Sequence, residues 1–161
     1  MNNYIEKVRE FRKATGLDAG QSVALHNGLI QEELAELADA LADSVVVAVG
    51  AHIDKPDEFD EAWLADRIAR LTMAADVMGI TLPASFGIVH KSNMSKLCTI
   101  DELGPTADKY REIGVTVKFT EVGLDLWACW SDCDHPDYPR GKLLKSINYH
   151  APDWSGEEWI L

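Results

Sequence analysis

A long amphipathic segment constrains the fold of this chain more than any other feature of its sequence. Between residues 22 and 50, apolar side chains recur at intervals of three or four residues and once at five. They are Leu25, Leu29, Leu34, Leu37, Leu41 and Val45. This spacing predicts one continuous helix, and Ser22 is placed to cap its first turn. An apolar stripe of that length needs covering partners, which favours a bundle of about four helices.

Other segments of the first two thirds also have helical patterns. They cover residues 3–14, 58–78, 82–96 and 101–114, the last as a short helix or a turn followed by a helix. The breaks between them carry typical boundary residues: TGLDAGQ at 15–21, Pro56 after the long helix, Asp57 or Asp60 as a cap, and Gly79 at a helix end. The chain is therefore expected to be mainly α.

After Gly114 the pattern changes to a two-residue alternation. VTVKFTEVG and LDLWACW are rich in β-branched and aromatic residues, which is typical of strands. PRGKLLKSINYHAPDW follows, with a turn at Arg140 and Gly141. We expect a helical bundle over residues 1–114 and a small β-hairpin or sheet over residues 115–161.

Charge excludes some classes of partner. The chain has 15 basic and 27 acidic residues and a net charge of -12, which argues against binding duplex DNA or an anionic membrane by charge neutralisation. No signal peptide is recognisable, and no apolar run approaches the ~18 residues of a membrane span. Three cysteines are too few for a disulfide framework. These features predict a cytoplasmic protein.

Acidic residues follow one face of the long helix in QEELAELADALAD, residues 31–43. Glu32 and Glu33 lie four and three residues before Glu36, and Asp39 and Asp43 continue the spacing. Like charges at these separations repel unless a cation neutralises them. Mg²⁺ prefers oxygen ligands and often uses one or two carboxylates together with substrate phosphates. The alternative is the solvated face of a helix in an acidic protein.

A second polar cluster, HKSNMSK at residues 90–96, ends the helix that begins near Leu82. The amino groups of Lys91 and Lys96 and the amide of Asn93 are donors that suit phosphate oxygens. The alternative is that the lysines only complement the negative end of the helix dipole.

These segments and their order resemble the all-α nucleoside triphosphate pyrophosphohydrolases, the MazG superfamily. The resemblance rests on LIQEELAELADAL, a helix ending in GITL, SFGIVHKSNMSKL and the tail GKLLKSINYHAPD, and it covers about residues 5–153. It is nearest to the phosphoribosyl-ATP-pyrophosphatase-like branch of phages and bacteria, which includes MazZ-type enzymes. It implies Mg²⁺-dependent hydrolysis of a purine deoxynucleoside triphosphate, such as dGTP or dATP, to the monophosphate and pyrophosphate.

The resemblance also implies a set of site residues. Glu32, Glu33 and Glu36 would bind Mg²⁺, for which Mn²⁺ can substitute, and Glu33 or Glu36 would be the general base. Asp66 on the next helix would complete the metal site, and Lys91, Asn93 and Lys96 would bind phosphate. The acidic residue expected before Asp66 is missing, so Asp60, Glu61 and the Asp39/Asp43 pair also stay open as members of the site.

Two other functions remain open: phosphoribosyl-ATP pyrophosphatase, and a non-enzymatic acidic helical module that binds a protein or a cation.

Self-association is also expected. Val45, Val46, Val47 and Val49 cover most sides of the long helix, so one apolar side would stay exposed in a thin bundle. The resemblance also implies a homodimer or homotetramer. Alternatively, the segment at 115–150 covers these valines within one chain.

Overall fold

The computed structural model describes residues 2–15, 22–156 and 158–160. Within them the chain forms five α-helices, one short 3₁₀ turn (Ile100–Glu102) and two strands. The helices are α1 (Asn2–Thr15), α2 (Val23–Asp54), α3 (Glu61–Val77), α4 (Leu82–Met94) and α5 (Leu103–Arg111); the strands are β1 (Val117–Gly123) and β2 (Leu126–Ser131). The expectation of a mainly α protein with a small β-hairpin near its C-terminus is confirmed.

The helix boundaries follow the expected local chemistry. The Ser22 hydroxyl accepts the Leu25 N–H at 3.1 Å, and the Asp60 carboxylate accepts the Trp63 N–H at 2.8 Å, so both caps are present. Gly79 follows α3 with a φ of 71°, a conformation that glycine adopts without strain. The predicted break at residues 15–21 lies outside the described residues except for Thr15, which ends α1.

The long helix extends further than expected. α2 passes through Gly50 and ends at Asp54, two residues before Pro56. Glycine inside a helix costs only about 1 kcal/mol, whereas proline lacks the N–H and restricts the residue before it. Pro56, and not Gly50, therefore marks the end of this helix.

The two strands pair antiparallel, with Val117 opposite Ser131 and Glu121 opposite Trp127. Leu124 and Asp125 form the two-residue turn with φ values of 55° and 57°. Positive φ at both positions is the geometry that matches the twist of a hairpin. The expected turn at Arg140 and Gly141 is also present, with a φ of 82° at Gly141.

A buried apolar core joins the hairpin to the helical part of the chain. Its fully buried members are Cys98, Tyr110, Val115, Cys129 and Leu144. Residues on both sides of the predicted domain boundary after residue 114 contribute to this core. Burial raises the pKa of Cys129 to about 12, so its thiol stays protonated and belongs to the packing.

The contacts divide the chain into two compact units, residues 1–36 and residues 37–161. The first contains α1 and the beginning of α2, and α1 exposes the apolar side chains Tyr4, Val8 and Phe11. The second contains the remainder of α2 and every later element.

In the described part of the chain, no helix combines the length and the apolar character that crossing a membrane requires.

Candidate functional site

The three glutamates of the predicted metal site lie on α2 in the first unit. Glu32, Glu33 and Glu36 are all exposed to solvent. A surface position lets a carboxylate bind a cation or a substrate without first breaking buried contacts. Their roles as metal ligands, and that of Glu33 or Glu36 as general base, stay predictions.

Asp39 and Asp43 lie on the part of α2 that belongs to the second unit. Asp39 is half-buried, whereas Asp43 is exposed. Burial raises the pKa of Asp39, and the Asp43 carboxylate raises it further, while the ammonium of Lys96 lowers it. Asp39 is therefore subject to opposing charges, from Asp43 on its own helix and from Lys96 beyond α4.

Lys96 follows the end of α4 and is held in place by Asn93. The Lys96 Nζ donates to the Asn93 Oδ1 at 2.6 Å, and both residues are half-buried. Two of the three predicted phosphate-binding residues are thus brought together. The third, Lys91, is exposed and lines a cavity with His150 and Asp153 instead.

The C-terminal tail binds directly to the end of α4. The buried Ser92 donates its hydroxyl to the His150 carbonyl at 2.9 Å, and the His150 N–H donates to the Ser95 Oγ at 3.2 Å. Ser146 is also buried, and its hydroxyl donates to the Ser95 carbonyl at 2.9 Å. Two of the segments on which the resemblance rests, HKSNMSK and GKLLKSINYHAPD, are therefore in contact.

Tyr149 links the tail to Lys96. A hydrogen bond with Ser92 lowers the pKa of Tyr149, and Lys145 and Lys96 lower it further. The Lys145 Nζ lies 4.1 Å from the centre of the Tyr149 ring, within cation–π distance. The charge of Lys96 acts on both Asp39 and Tyr149, so we treat the residues connected by these charges and by the hydrogen bond from Lys96 as one electrostatic group. We call it the Lys96 cluster: Asp39, Asp43, Asn93, Lys96, Lys145 and Tyr149.

Sequence reasoning missed Lys145 and Tyr149 as site residues, although it recognised the tail that carries them. Lys145 and Tyr149 are four residues apart, but they lie outside any helix or strand, so this spacing does not predict that their side chains meet. The tail was recognised as a segment, but no pattern within it singles out these two positions.

Asp66 lies in a different electrostatic environment. It is exposed on α3, and its Oδ2 accepts a hydrogen bond from the Arg70 Nε at 2.7 Å. That hydrogen bond, with the charges of Arg70 and Arg67, lowers the pKa of Asp66. Both side chains of this pair are exposed, so it contributes little free energy, and the role of Asp66 as a metal ligand stays a prediction.

The Asp39/Asp43 pair differs from Asp66 in the charges that surround it. The charges that act on Asp39 are those of Asp43 and Lys96, and the carboxylate of Asp39 is not held by an arginine as that of Asp66 is. Asp60, which the sequence also left open as a ligand, uses its carboxylate to cap α3.

The donor chemistry of the Lys96 cluster fits Mg²⁺. Among residues 2–15, 22–156 and 158–160, no three His, Cys, Asp or Glu side chains are grouped as they would be to enclose a metal ion. Asp39 and Asp43 nevertheless supply hard oxygen donors, and Mg²⁺ usually takes one or two carboxylates and fills its shell with phosphate oxygens and water.

Known proteins offer no direct guide to the function. The chain matches no family model, no curated protein and no solved structure at a significant level. The chemistry of the residues themselves, chiefly of the Lys96 cluster, is therefore the guide to function.

Proposed function

We propose that this protein hydrolyses a nucleoside triphosphate, a purine deoxynucleotide such as dGTP or dATP, to the monophosphate and pyrophosphate, with Mg²⁺ as the cofactor. The observation that carries the proposal is the Lys96 cluster, in which the charge of the Lys96 ammonium acts on the Asp39 carboxylate and on Tyr149. Carboxylates suit the cation, and ammonium groups suit the phosphates that accompany it. The order of the sequence segments supports the same function.

The cationic half of the cluster would bind the triphosphate. Lys96 and Lys145 would donate charge-assisted hydrogen bonds to phosphate oxygens, which are stronger than hydrogen bonds between neutral groups. Asn93 holds the Lys96 ammonium and so reduces the entropy lost when phosphate binds. The Tyr149 hydroxyl is a further donor beside them.

The anionic half would hold the cation. Asp39 and Asp43 would supply carboxylate oxygens to it, and the resemblance adds Glu32, Glu33 and Glu36, which precede them in the sequence. When bound, Mg²⁺ neutralises the triphosphate and makes water more acidic. Glu33 or Glu36 would accept the proton of the water that attacks at the α–β linkage.

The direct test is release of pyrophosphate from a panel of nucleotides, including phosphoribosyl-ATP, with and without Mg²⁺. We expect a purine deoxynucleoside triphosphate to give monophosphate and pyrophosphate, and chelation of the cation to stop the reaction. Release of orthophosphate alone, or no release from any nucleotide, would contradict the proposal.

A pair of variants identifies the acidic residues that complete the metal site. Asp43→Asn is expected to lower turnover more than Asp66→Asn, because Asp43 acts on Asp39 whereas Asp66 is paired with Arg70. Steady-state kinetics at saturating Mg²⁺ measures both. A larger loss for Asp66→Asn would favour the assignment that the resemblance implies.

We also propose that the protein is a homodimer or a dimer of dimers. Val46 and Val47 on α2 are 39% and 71% exposed, so they remain uncovered in the described part of the chain. Val47 borders an apolar groove of about 630 Å³ with Phe59, Trp63 and Leu71. Large apolar surfaces are uncommon on monomers, and a two-fold axis would pair this surface with its copy.

Val47→Glu is expected to shift the protein toward the 17.8 kDa monomer, since it would place like charges opposite each other across the axis. Light scattering at micromolar concentration measures the mass. The matched control is Val122→Glu, which changes an exposed valine of β1. A wild-type mass near that of one chain would reject the oligomer.

A further inference from the structure

Helix α5 holds a short piece of the C-terminal tail by its main chain. The Tyr110 hydroxyl accepts the Lys145 N–H at 2.9 Å and donates to the Lys145 carbonyl at 3.0 Å. One turn earlier on the same face of α5, the Thr106 hydroxyl accepts the Ile147 N–H at 3.0 Å. A segment outside any helix or strand is thus held at defined positions by one face of a helix.

The surroundings of Tyr110 suit it to hold a main-chain position. Its side chain is 3% exposed and belongs to the apolar core beside the hairpin, where its ring packs edge-to-face on that of Tyr138. Burial raises the pKa of Tyr110, so its hydroxyl stays protonated at neutral pH and can donate and accept at the same time. A ring packed in this way gives its hydroxyl, and therefore the main chain of Lys145, little freedom to move.

The same segment brings the main chain of Lys145 next to that of Lys96. Ser146, which follows Lys145, donates its N–H to the Lys96 carbonyl at 3.2 Å and its hydroxyl to the Ser95 carbonyl at 2.9 Å. Ser146 is buried, whereas the side chain of Lys145 is exposed to solvent. The two lysines are therefore connected through one main-chain hydrogen bond, and Lys145 is accessible to a ligand.

The charges of both lysines act on one phenol, that of Tyr149. A hydrogen bond with Ser92 lowers the pKa of Tyr149, and Lys145 and Lys96 lower it further. The Lys145 Nζ lies 4.1 Å from the centre of the Tyr149 ring. Because both positive charges act at this phenol, a chain of phosphates beside it would be attracted by both lysines.

We propose that Tyr110 is a positioning residue of the polyphosphate site, and that its hydroxyl holds Lys145 beside Lys96 so that both ammonium groups bind one chain of phosphates. The inference rests on the function proposed above. Without the hydroxyl, the main chain at Lys145 would be freer, and binding would have to restrict it at a cost in entropy. Tyr110 acts through Lys145, so the loss should appear in binding rather than in the chemical step.

Isothermal titration with inorganic tripolyphosphate and Mg²⁺ measures this binding without turnover and without a nucleobase. Tyr110→Phe removes only the hydroxyl and should weaken binding by about tenfold. Lys145→Met should weaken binding at least as much, because the ammonium itself is lost. In the double variant the two losses should not add, since one residue acts through the other.

The phenol of Tyr149 reports the position of Lys145 without any ligand. If the Lys145 ammonium moves away, the pKa of Tyr149 should be higher in Tyr110→Phe than in the wild type. The ultraviolet absorbance of tyrosinate during a pH titration measures this pKa, and the same titration with Tyr149→Phe added to each protein identifies the signal. A loss of stability alone would leave the pKa of Tyr149 in the folded protein unchanged.

Thr106→Val is the matched control, because it removes a second hydroxyl by which α5 holds the tail, at Ile147 and not at Lys145. It should bind tripolyphosphate like the wild type. Equal losses in Tyr110→Phe and Thr106→Val would overturn the inference, as would additive losses in the double variant. Lys145 is exposed, so Lys145→Met should fold even if Tyr110→Phe does not, and wild-type binding by Lys145→Met would also overturn the inference.

Kinetics separates this inference from the proposed reaction. With a nucleotide substrate, Tyr110→Phe should raise KM and leave kcat near the wild-type value. If the wild type does not bind tripolyphosphate, or if Tyr110→Phe binds it equally well, the inference fails whatever the protein hydrolyses. If binding depends on Tyr110 and Lys145 as expected but no nucleotide is hydrolysed, the inference stands and the proposed reaction fails.

Discussion

Asp39→Asn is expected to remove most pyrophosphohydrolase activity and, at neutral pH, to raise the melting temperature. Burial and the Asp43 carboxylate both raise the pKa of Asp39, so ionising this residue costs folding free energy. Asparagine has nearly the same shape and carries no charge, which removes that cost. Turnover should fall on the order of 100-fold, since the proposed site loses a charge that stabilises the cation.

The stabilising effect should depend on pH in a defined direction. The folded-state pKa of Asp39 lies above its unfolded value, so its protonated form favours folding. That contribution is complete below the unfolded pKa and is lost as the pH rises through the folded pKa. The melting temperatures of Asp39→Asn and the wild type should therefore converge in acid and separate toward neutral pH.

The matched control is Asp76→Asn, at an exposed aspartate of α3 outside the Lys96 cluster. It should leave both turnover and melting temperature near those of the wild type. Wild-type turnover in Asp39→Asn would remove Asp39 from the proposed site. A lower melting temperature at neutral pH would contradict the unfavourable burial of its charge.

The second large effect is expected for Glu36→Gln. Glu36 is exposed and has Glu32 and Glu33 within one turn of α2, so it is central to the predicted acidic set. Glutamine keeps the length of the side chain but loses a ligand charge and the ability to accept a proton. We expect an intact helical circular dichroism spectrum and a loss of turnover on the order of 100-fold at saturating Mg²⁺.

Glu121→Gln on β1 is the control for this variant, because Glu121 is an exposed glutamate of the hairpin. It should keep wild-type turnover. If Glu36→Gln also turns over normally at saturating Mg²⁺, this face of α2 is not the active site.

Much of the fold could be predicted because its signals are local. The Ser22 and Asp60 caps, the glycine after α3 and the alternating strands each depend on a few neighbouring residues. The pairing of Asp66 with Arg70 is also local, four residues apart on one helix, and its spacing could have been noticed in the sequence. That pairing weakens the case for Asp66 as a free metal ligand.

The candidate site was less predictable because its contacts are distant in sequence. Ser92 and His150 are separated by 58 residues, and only the folded chain shows that the tail returns to the end of α4. The half-burial of Asp39 and the effect of Lys96 on it likewise depend on packing. The spacing along α2 identified the acidic residues on one face of the helix. It did not show which of them would bind the cation or accept a proton.

The tail is attached largely through its main chain. The Tyr110 hydroxyl bonds both the N–H and the carbonyl of Lys145, the Thr106 hydroxyl accepts the Ile147 N–H, and Ser92 and Ser95 hold the backbone of His150. Main-chain groups are the same whatever side chain they carry. Evolution or protein engineering can therefore exchange the side chains at positions 145, 149 and 150 while the attachment remains, which makes this tail a natural place to retarget specificity.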